Sequence, residues 1–129
     1  MAQIKVYGHK VFLDKQKELV SNAIHTCTVN ILGLPREKRF HRFIPLDESD
    51  FIYPDDRSEK YIIIEILMMS GRTTETKKAY IKSLISNVSK KGDIAIPDIE
   101  VTLIESPKEN WGIRGVTGDE LKMNYTVEK

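Results

Sequence analysis

The chain has 129 residues, of which 40% are hydrophobic and 30% are charged, and its formal net charge is +1. This length is enough for one compact domain with a hydrophobic core, and the composition is that of an ordinary soluble globular protein. The near-neutral charge excludes a bulk electrostatic attraction to nucleic acid or to an anionic membrane. We therefore expect no nucleic-acid partner and no membrane partner.

Cysteine usage and the absence of a leader-like segment both predict a cytoplasmic protein. Cys27 is the only cysteine, so it cannot form an internal disulfide, and burial as a small apolar residue is its favoured role. Residues 1–5 lack the apolar region of a signal peptide, and the apolar run 61–69 is too short to span a bilayer. The three histidines show no recognisable ligand spacing, so neither a metal nor another cofactor is expected.

The first half of the chain predicts a strand, a helix and a second strand. Polar and apolar residues alternate over residues 3–7, which indicates a strand. A helix follows from Asp14, which can serve as its N-cap, and ends before Gly33. Alternation over residues 40–44 predicts the second strand. The apolar stripe of the helix consists of Leu19, Val20, Ala23, Ile24 and Cys27.

The second half predicts the same order of elements after a polar, turn-rich connector at 45–60. Residues 61–69 are rich in isoleucine and predict a buried strand. Thr73 or Thr74 can cap the helix that follows, and residues 99–103 alternate as a fourth long strand. The apolar stripe of this helix consists of Tyr80, Ile81, Leu84, Ile85 and Val88.

The two halves repeat one another. Each residue of the first apolar stripe lies 61 positions before its counterpart in the second, and beyond the helices the offset becomes 62. This pattern indicates a tandem duplication of a βαβ unit. We assign one repeat to about residues 2–50 and the other to about 61–118, within a single domain over 1–129. Residues 107–118 predict a loop or short hairpin, and about 120–128 a final strand.

Two βαβ units side by side predict an α/β (α+β) fold, in which a four-stranded mixed sheet carries both helices on one face. The opposite face of the sheet has no helix to cover it within one chain. An uncovered sheet face favours association with further copies, so the pattern predicts an oligomer.

A duplicated βαβ unit of about sixty residues resembles the plan of the tautomerase superfamily. Ser70–Lys77 is similar to the Gly-Arg-Ser/Thr-x-Glu-x-Lys turn that opens the helix of 4-oxalocrotonate tautomerase. Ile99–Glu105 and Trp111–Ile113 resemble that enzyme's second strand and its Phe-Gly-Ile loop. Arg39–Phe43 and Tyr53–Ser58 look like segments of fused members in the length class of malonate semialdehyde decarboxylase.

The resemblance implies a homotrimer whose active sites surround the free N-terminus, where loss of Met1 exposes a catalytic proline. This chain has Ala2 at that position. Loss of Met1 would leave a primary amine with a reference pKa of about 7.7–8.0, which can transfer protons near neutrality or form an imine with a carbonyl. The alternative is that Ala2 is only the first residue of a strand.

Four further residues are candidates for binding a small anionic keto or enol acid. Arg72 matches the arginine that binds the substrate carboxylate in 4-oxalocrotonate tautomerase, and its alternative role is a solvated side chain in a turn. Arg39 belongs to a basic run, which is usually a solvated face but can attract an acid to a pocket. Arg114 lies in a glycine-rich loop that can reach an anion, and its alternative role is a surface loop. Trp111 lines the pocket, packs at a subunit interface, or does both.

Ala2 is not the only departure from the characterised members. Glu100 falls where 4-oxalocrotonate tautomerase has a second arginine, and Lys38 where the decarboxylase has an aspartate. Met68 and Ser70 replace the arginine pair of the decarboxylase. Decarboxylation or hydration by the route of that enzyme is therefore not expected.

Two functions remain. The first is a tautomerase-like enzyme that acts on a small keto or enol acid through the N-terminal amine, with activity weakened because Ala2 replaces proline. The second is a non-catalytic binding or structural trimer of the same fold.

Overall fold

A computed structural model describes residues 2–122. Two strand–helix–strand units occur in succession, as the duplication predicts: β1 (Ala2–His9), α1 (Lys10–Leu32) and β2 (His41–Leu46), then β3 (Ile62–Met69), α2 (Thr74–Gly92) and β4 (Ile99–Ser106). A short hairpin follows, consisting of β5 (Gly112–Ile113) and β6 (Val116–Thr117). Most of the predicted final strand, from residue 123 onward, lies outside the described residues.

The four long strands form one mixed sheet in the order β2-β1-β3-β4. The strands within each unit are parallel, and the two units meet where β1 pairs antiparallel with β3. This register aligns Ala2 with Met68 and Met68 with Glu105, so these three residues form one row at one end of the sheet. At the other end, Tyr7 is aligned with Ile63 and thereby with Glu100.

Both helices pack on the same face of this sheet. Alternate residues of β1 and β3 are buried against the helices in one continuous core, among them Ile4, Val6, Ile64 and Ile66. The residues between them face the other way and are only partly buried. The predicted two-layer architecture is therefore confirmed, and its second sheet face is free of helices.

Polar contacts fix the two helices to one another. The Ser83 hydroxyl donates to Cys27 Sγ at 3.2 Å, and Asn87 Nδ2 donates to the carbonyl oxygen of Ala23 at 2.9 Å. The hydroxyls of Thr28 and Tyr80 share a buried hydrogen bond of 2.8 Å. Because these groups lie between the helices, the pair forms a rigid layer over the sheet.

The start of α1 differs from the sequence prediction. The helix begins at Lys10 with His9 at the N-cap, and Asp14 lies inside it as the acceptor of a 3.0 Å bond from Lys10. The prediction of a start at Asp14 was wrong. Phe12 and Leu13 are buried in the core, so the residues directly after β1 already form the first turn of the helix. The predicted end is correct: Gly33 adopts φ 72° and closes the helix.

Leu19 is the second departure, since it is 48% exposed instead of belonging to the buried stripe. The other four stripe residues of α1 are buried, and Leu19 lies just outside the arc that faces the sheet. In α2, Tyr80, Leu84 and Val88 are buried as predicted, and Ile85 packs against the core edge. Within residues 2–122, no helix is long and apolar enough to cross a membrane.

Candidate functional site

Ala2 lies at the edge of the core, at the beginning of a central strand. Its side chain is 4% exposed and packs in the main apolar cluster. It is paired with Met68, which is fully buried.

Arg72 lies at the same end of the sheet, in the turn that leads from β3 into α2. It is only 5% exposed, and its Nη1 donates to the carbonyl oxygen of Met69 at 3.3 Å. Met69 directly follows Met68, the pairing partner of Ala2. Burial raises the pKa of Tyr80, and the positive charge of Arg72 opposes that rise, so the guanidinium also acts on the helix layer.

Trp111 forms a second, smaller apolar cluster at this end with Met69. Its Nε1 donates to the carbonyl oxygen of Ser106 at 3.3 Å, and Ser106 is paired with Met69 in the sheet. The backbone of Gly118 fixes the hairpin against this cluster, because its N–H donates to Trp111 O at 2.7 Å. A Cβ at Gly118 would meet Lys108 O at 2.4 Å, so only glycine allows this approach.

Arg39 borders the site from the other side of β1. It is exposed, and its Nη1 donates to Asn22 Oδ1 at 2.7 Å. The next residue, Phe40, accepts a bond of 3.0 Å from the backbone N–H of Ile4, which fixes this segment beside the first residues of β1. Arg39 is therefore near the Ala2 end of the sheet, with its charge directed into solvent.

His41 begins β2 next to this segment and shares a 2.7 Å hydrogen bond with the hydroxyl of Ser21. Burial, together with the nearby charges of Arg39 and His25, lowers the pKa of His41 to about 4. The imidazole is consequently neutral at physiological pH and adds no charge to an anion site.

Arg114 occupies the tip of the β5–β6 hairpin. It adopts φ 51° and is followed by Gly115 at φ 83°, which is the backbone of a tight two-residue turn. Its side chain is exposed and makes no hydrogen bond or ion pair within residues 2–122. Ala2, Arg72 and Trp111 are thus gathered at one end of the sheet with Arg39 on its flank, while Arg114 stands apart.

A family model described as "Tautomerase enzyme" matches residues 38–114. The chain belongs to the tautomerase family. Probable tautomerase YusQ of Bacillus subtilis is 25% identical over 107 residues, which cover 79% of this chain and 81% of that protein. A 2-hydroxymuconate tautomerase of Pseudomonas putida is 39% identical over 57 residues, covering 44% of this chain and 90% of that shorter protein.

Solved structures of tautomerase relatives share this fold. Native fused 4-OT superposes with a TM-score of 0.83 at 22% identity, covering 92% of this chain and 98% of that chain. Malonate semialdehyde decarboxylase superposes with a TM-score of 0.76 at 20% identity, covering 85% and 88%. One fused 4-OT structure is an asymmetric trimer. The resemblance of the chain to the superfamily is therefore confirmed.

Glu100 lies far from Ala2 in this member of the tautomerase family. The register separates the two by five rows, or about 16 Å along the strands. Glu100 accepts hydrogen bonds from Tyr61 and, at 2.5 Å, from Arg57, and these bonds lower the pKa of its carboxyl group. Within one subunit, Glu100 therefore binds the connector through Arg57 and does not belong to the group of residues at the Ala2 end of the sheet.

Sequence reasoning gave no role to two charged residues at the Ala2 end of the sheet. Glu105 shares the row of Ala2 and Met68, and its carboxylate accepts from Lys77 Nζ at 2.8 Å. The signal that would have found this pair is the strand register. Neither residue is unusual by itself, and only the pairing of β3 with β4 brings Glu105 into line with Ala2.

No group of three or more histidine, cysteine, aspartate or glutamate residues within 2–122 has the arrangement of a metal site.

Proposed function

We propose that the chain interconverts the enol and keto forms of a small carboxylic acid, using the N-terminal amine that removal of Met1 exposes on Ala2. One observation supports the proposal above others: Ala2 and Arg72 lie at the same end of the sheet, where Ala2 is paired with Met68 and Arg72 donates to the adjacent Met69. Named tautomerases among the relatives support the reaction class.

The chemistry requires one group that moves a proton between oxygen and carbon. The unprotonated amine takes the proton from the enol hydroxyl, and the resulting ammonium returns a proton to the neighbouring carbon to give the keto acid. The reference pKa of an α-amino group, about 7.7–8.0, leaves part of it unprotonated at neutral pH. Partial burial and the charge of Arg72 would lower that pKa further and increase this fraction.

Alanine makes this base weaker in practice than proline. A proline nitrogen is fixed by its ring, whereas the amine of Ala2 rotates and must be oriented at an entropic cost in each turnover. The primary amine can also form an imine with a carbonyl substrate, which is a second route for the same group. We therefore propose a slow enzyme.

The remaining candidates bind and enclose the substrate. Arg72 presents a planar guanidinium that suits a carboxylate, and its burial strengthens that interaction. Trp111 provides an apolar wall, and Arg39 adds positive charge from its flank. Arg114 stands apart at the hairpin tip and is left out of the proposed site. We further propose a homotrimer formed through the sheet face that carries no helix; that a fused 4-OT structure is a trimer supports the assembly.

The alternative is a trimer that keeps the fold without catalysis. The burial of the Ala2 side chain in the core favours this reading, because it gives the residue a purely structural role. Intact-mass spectrometry of the purified protein separates the two. A mass that includes Met1 would make the Ala2 nitrogen an amide, which cannot act as a base.

Substrate binding is tested by thermal shift with small keto acids such as pyruvate, phenylpyruvate and oxaloacetate. We expect at least one acid to raise the melting temperature of the parent protein and of R36A, a control that removes an exposed arginine. R72A should lose this ligand-induced shift, measured against its own unliganded melting temperature. Equal shifts in R72A and R36A would contradict the role of Arg72.

A further inference from the structure

A cavity of about 580 Å³ lies at the end of the sheet opposite to Ala2. Its floor is formed where β1 passes into α1 and where β2 ends, with Phe12 and Leu46 as apolar lining and His9 and Tyr53 beside them. The volume falls within the range of about 300–1,000 Å³ that is typical of small-molecule sites. The proposed tautomerase reaction makes no use of this cavity.

The aromatic wall of the cavity is held rigidly. Tyr53 lies 5.1 Å from the ring centres of both Phe51 and Tyr61 and 5.5 Å from that of His9. Its hydroxyl shares a 2.6 Å hydrogen bond with His9 Nε2. Tyr61 is 5% exposed and is itself anchored by Glu100. A ring fixed on several sides offers a preformed surface that loses little entropy when a ligand binds.

The acidic residues around the cavity are not neutralised by partners. Asp47, Glu48 and Glu59 line it, and none of them forms an ion pair within residues 2–122. Burial and the negative charges of Glu59 and Glu48 raise the pKa of Tyr53. The carboxylates therefore act directly on the aromatic wall, and the field at that wall is negative.

Two of the three lysines that line the cavity are already paired with other carboxylates. Lys10 binds Asp14 at 3.0 Å, and Lys60 binds Asp93 at 3.5 Å. Lys15 is the only lining lysine without an ion pair in the described part of the chain. Within residues 2–122, the lining groups without an ion pair are therefore three carboxylates and the ammonium group of Lys15. Their net charge is negative, so the cavity favours a positively charged ligand.

We propose that this cavity binds a small aromatic organic cation, with its ammonium group between the aromatic wall and the carboxylates of Glu48 and Glu59. A cation is attracted by the face of an aromatic ring, and its apolar body would cover Phe12 and Leu46. This ligand is opposite in charge to the keto acid proposed for the Ala2 end. A negative result for one proposal therefore does not contradict the other.

Three probes with the same ring test the charge preference: benzylammonium, benzyl alcohol and benzoate, titrated into the ¹⁵N-labelled protein. Benzylammonium should shift the backbone amide signals of His9, Phe12 and Tyr53 in a saturable way and bind most tightly, with benzyl alcohol weaker and benzoate weakest. The proposal is overturned if benzyl alcohol or benzoate binds as tightly as benzylammonium. It is also overturned if millimolar benzylammonium leaves these signals unmoved.

Charge variants provide the second arm of the experiment. The E48Q/E59Q double variant should weaken benzylammonium binding by about threefold to tenfold while leaving benzyl alcohol unchanged. The matched control E109Q, which removes an exposed carboxylate beside the hairpin, should leave both affinities unchanged. Equal weakening of both probes, or no weakening, would contradict the role of the carboxylates.

K15Q should change the affinity for benzylammonium in the opposite direction, and a damaged fold would not increase this affinity. Removing Lys15, which lines the cavity and has no ion pair within residues 2–122, should tighten benzylammonium binding by about twofold, because a repulsive charge is lost. Weaker binding to K15Q than to the parent protein would contradict the proposed electrostatics.

Discussion

His41 is uncharged in the folded protein over the neutral range, although it borders a surface rich in cations. Burial, Arg39 and His25 lower its pKa to about 4, compared with 6.5 in the unfolded chain. The folded state therefore binds fewer protons than the unfolded state between these two values. The stability that follows from this difference is present in full above pH 6.5 and is lost as the pH falls toward 4.

Replacing His41 with asparagine tests this pH dependence. H41N cannot titrate but keeps a side chain able to hydrogen-bond to Ser21, so its free energy of unfolding should fall less on acidification. Between pH 7 and pH 4, we expect the free energy of unfolding of H41N to fall by about 1–3 kcal/mol less than that of the parent protein. Urea denaturation at pH 7, 5.5 and 4 measures the difference. Parallel losses in both proteins would contradict the assignment to His41.

At the scale of single residues, the sequence identified family-like segments but did not give the position of every side chain. Arg72 and Trp111 stand in recognisable segments, and both are found at the end of the sheet where Ala2 lies. Glu100 was noted only as a departure from the second arginine of 4-oxalocrotonate tautomerase, and its partners Arg57 and Tyr61 lie at the opposite end. The sequence alone could not give this position, because the distance between two strand residues depends on register and on which ends of the strands meet.

The helix α2 has a clear N-terminal cap. The sequence allowed either Thr73 or Thr74, and the structure assigns this role to Thr73, whose side-chain oxygen accepts from the backbone N–H of Thr76 at 3.1 Å. Thr74 is the first residue of the helix and is exposed. The two adjacent threonines therefore form a matched pair for mutation.

T73A should lower the free energy of unfolding by about 1 kcal/mol, because one backbone donor at the helix start loses its acceptor. T74A removes the same atoms from a site without this bond and should change stability by less than about 0.5 kcal/mol. Chemical denaturation of both variants measures the two values. A larger loss for T74A than for T73A would show that the cap has been assigned to the wrong residue.

Among the long elements, the types and order were predictable, whereas the start of α1 was not. The end of α1 was readable because Gly33 is the residue that a left-handed cap requires. Its start at Lys10 was not, since β1 passes into the helix without a turn and no residue there is a common N-cap. Burial of Phe12 and Leu13 decides the boundary, and that is a property of the tertiary structure.

Among the elements of residues 2–122, one face of the sheet carries no helix. Lys5 and Glu65 form a 3.6 Å ion pair near its centre, and Tyr7 and Ile63 are the next pair along β1 and β3 on the same face, two rows away. Ile104, also on this face, is 41% exposed. The sequence predicted this open face from the repeat alone, because two βαβ units provide only one layer of helices.

We expect light scattering to give three times the chain mass of 14.8 kDa. I63K should dissociate the assembly, because burying an unpaired ammonium group at an interface is unfavourable. K82E, which reverses a charge on the exposed face of α2, should remain trimeric. A monomeric parent protein would contradict the proposed trimer, and so would an I63K variant that retains the parent mass.

The central claim is that the amine of Ala2 moves the proton. The most direct measurement is the rate at which purified parent protein and A2P convert phenylenolpyruvate to its keto form. The parent should exceed the buffer rate slightly, and A2P should exceed the parent by about tenfold or more, because the proline ring fixes the orientation of the nitrogen. An A2P variant as inactive as the parent protein, on this and on other enol acids, would contradict the catalytic account.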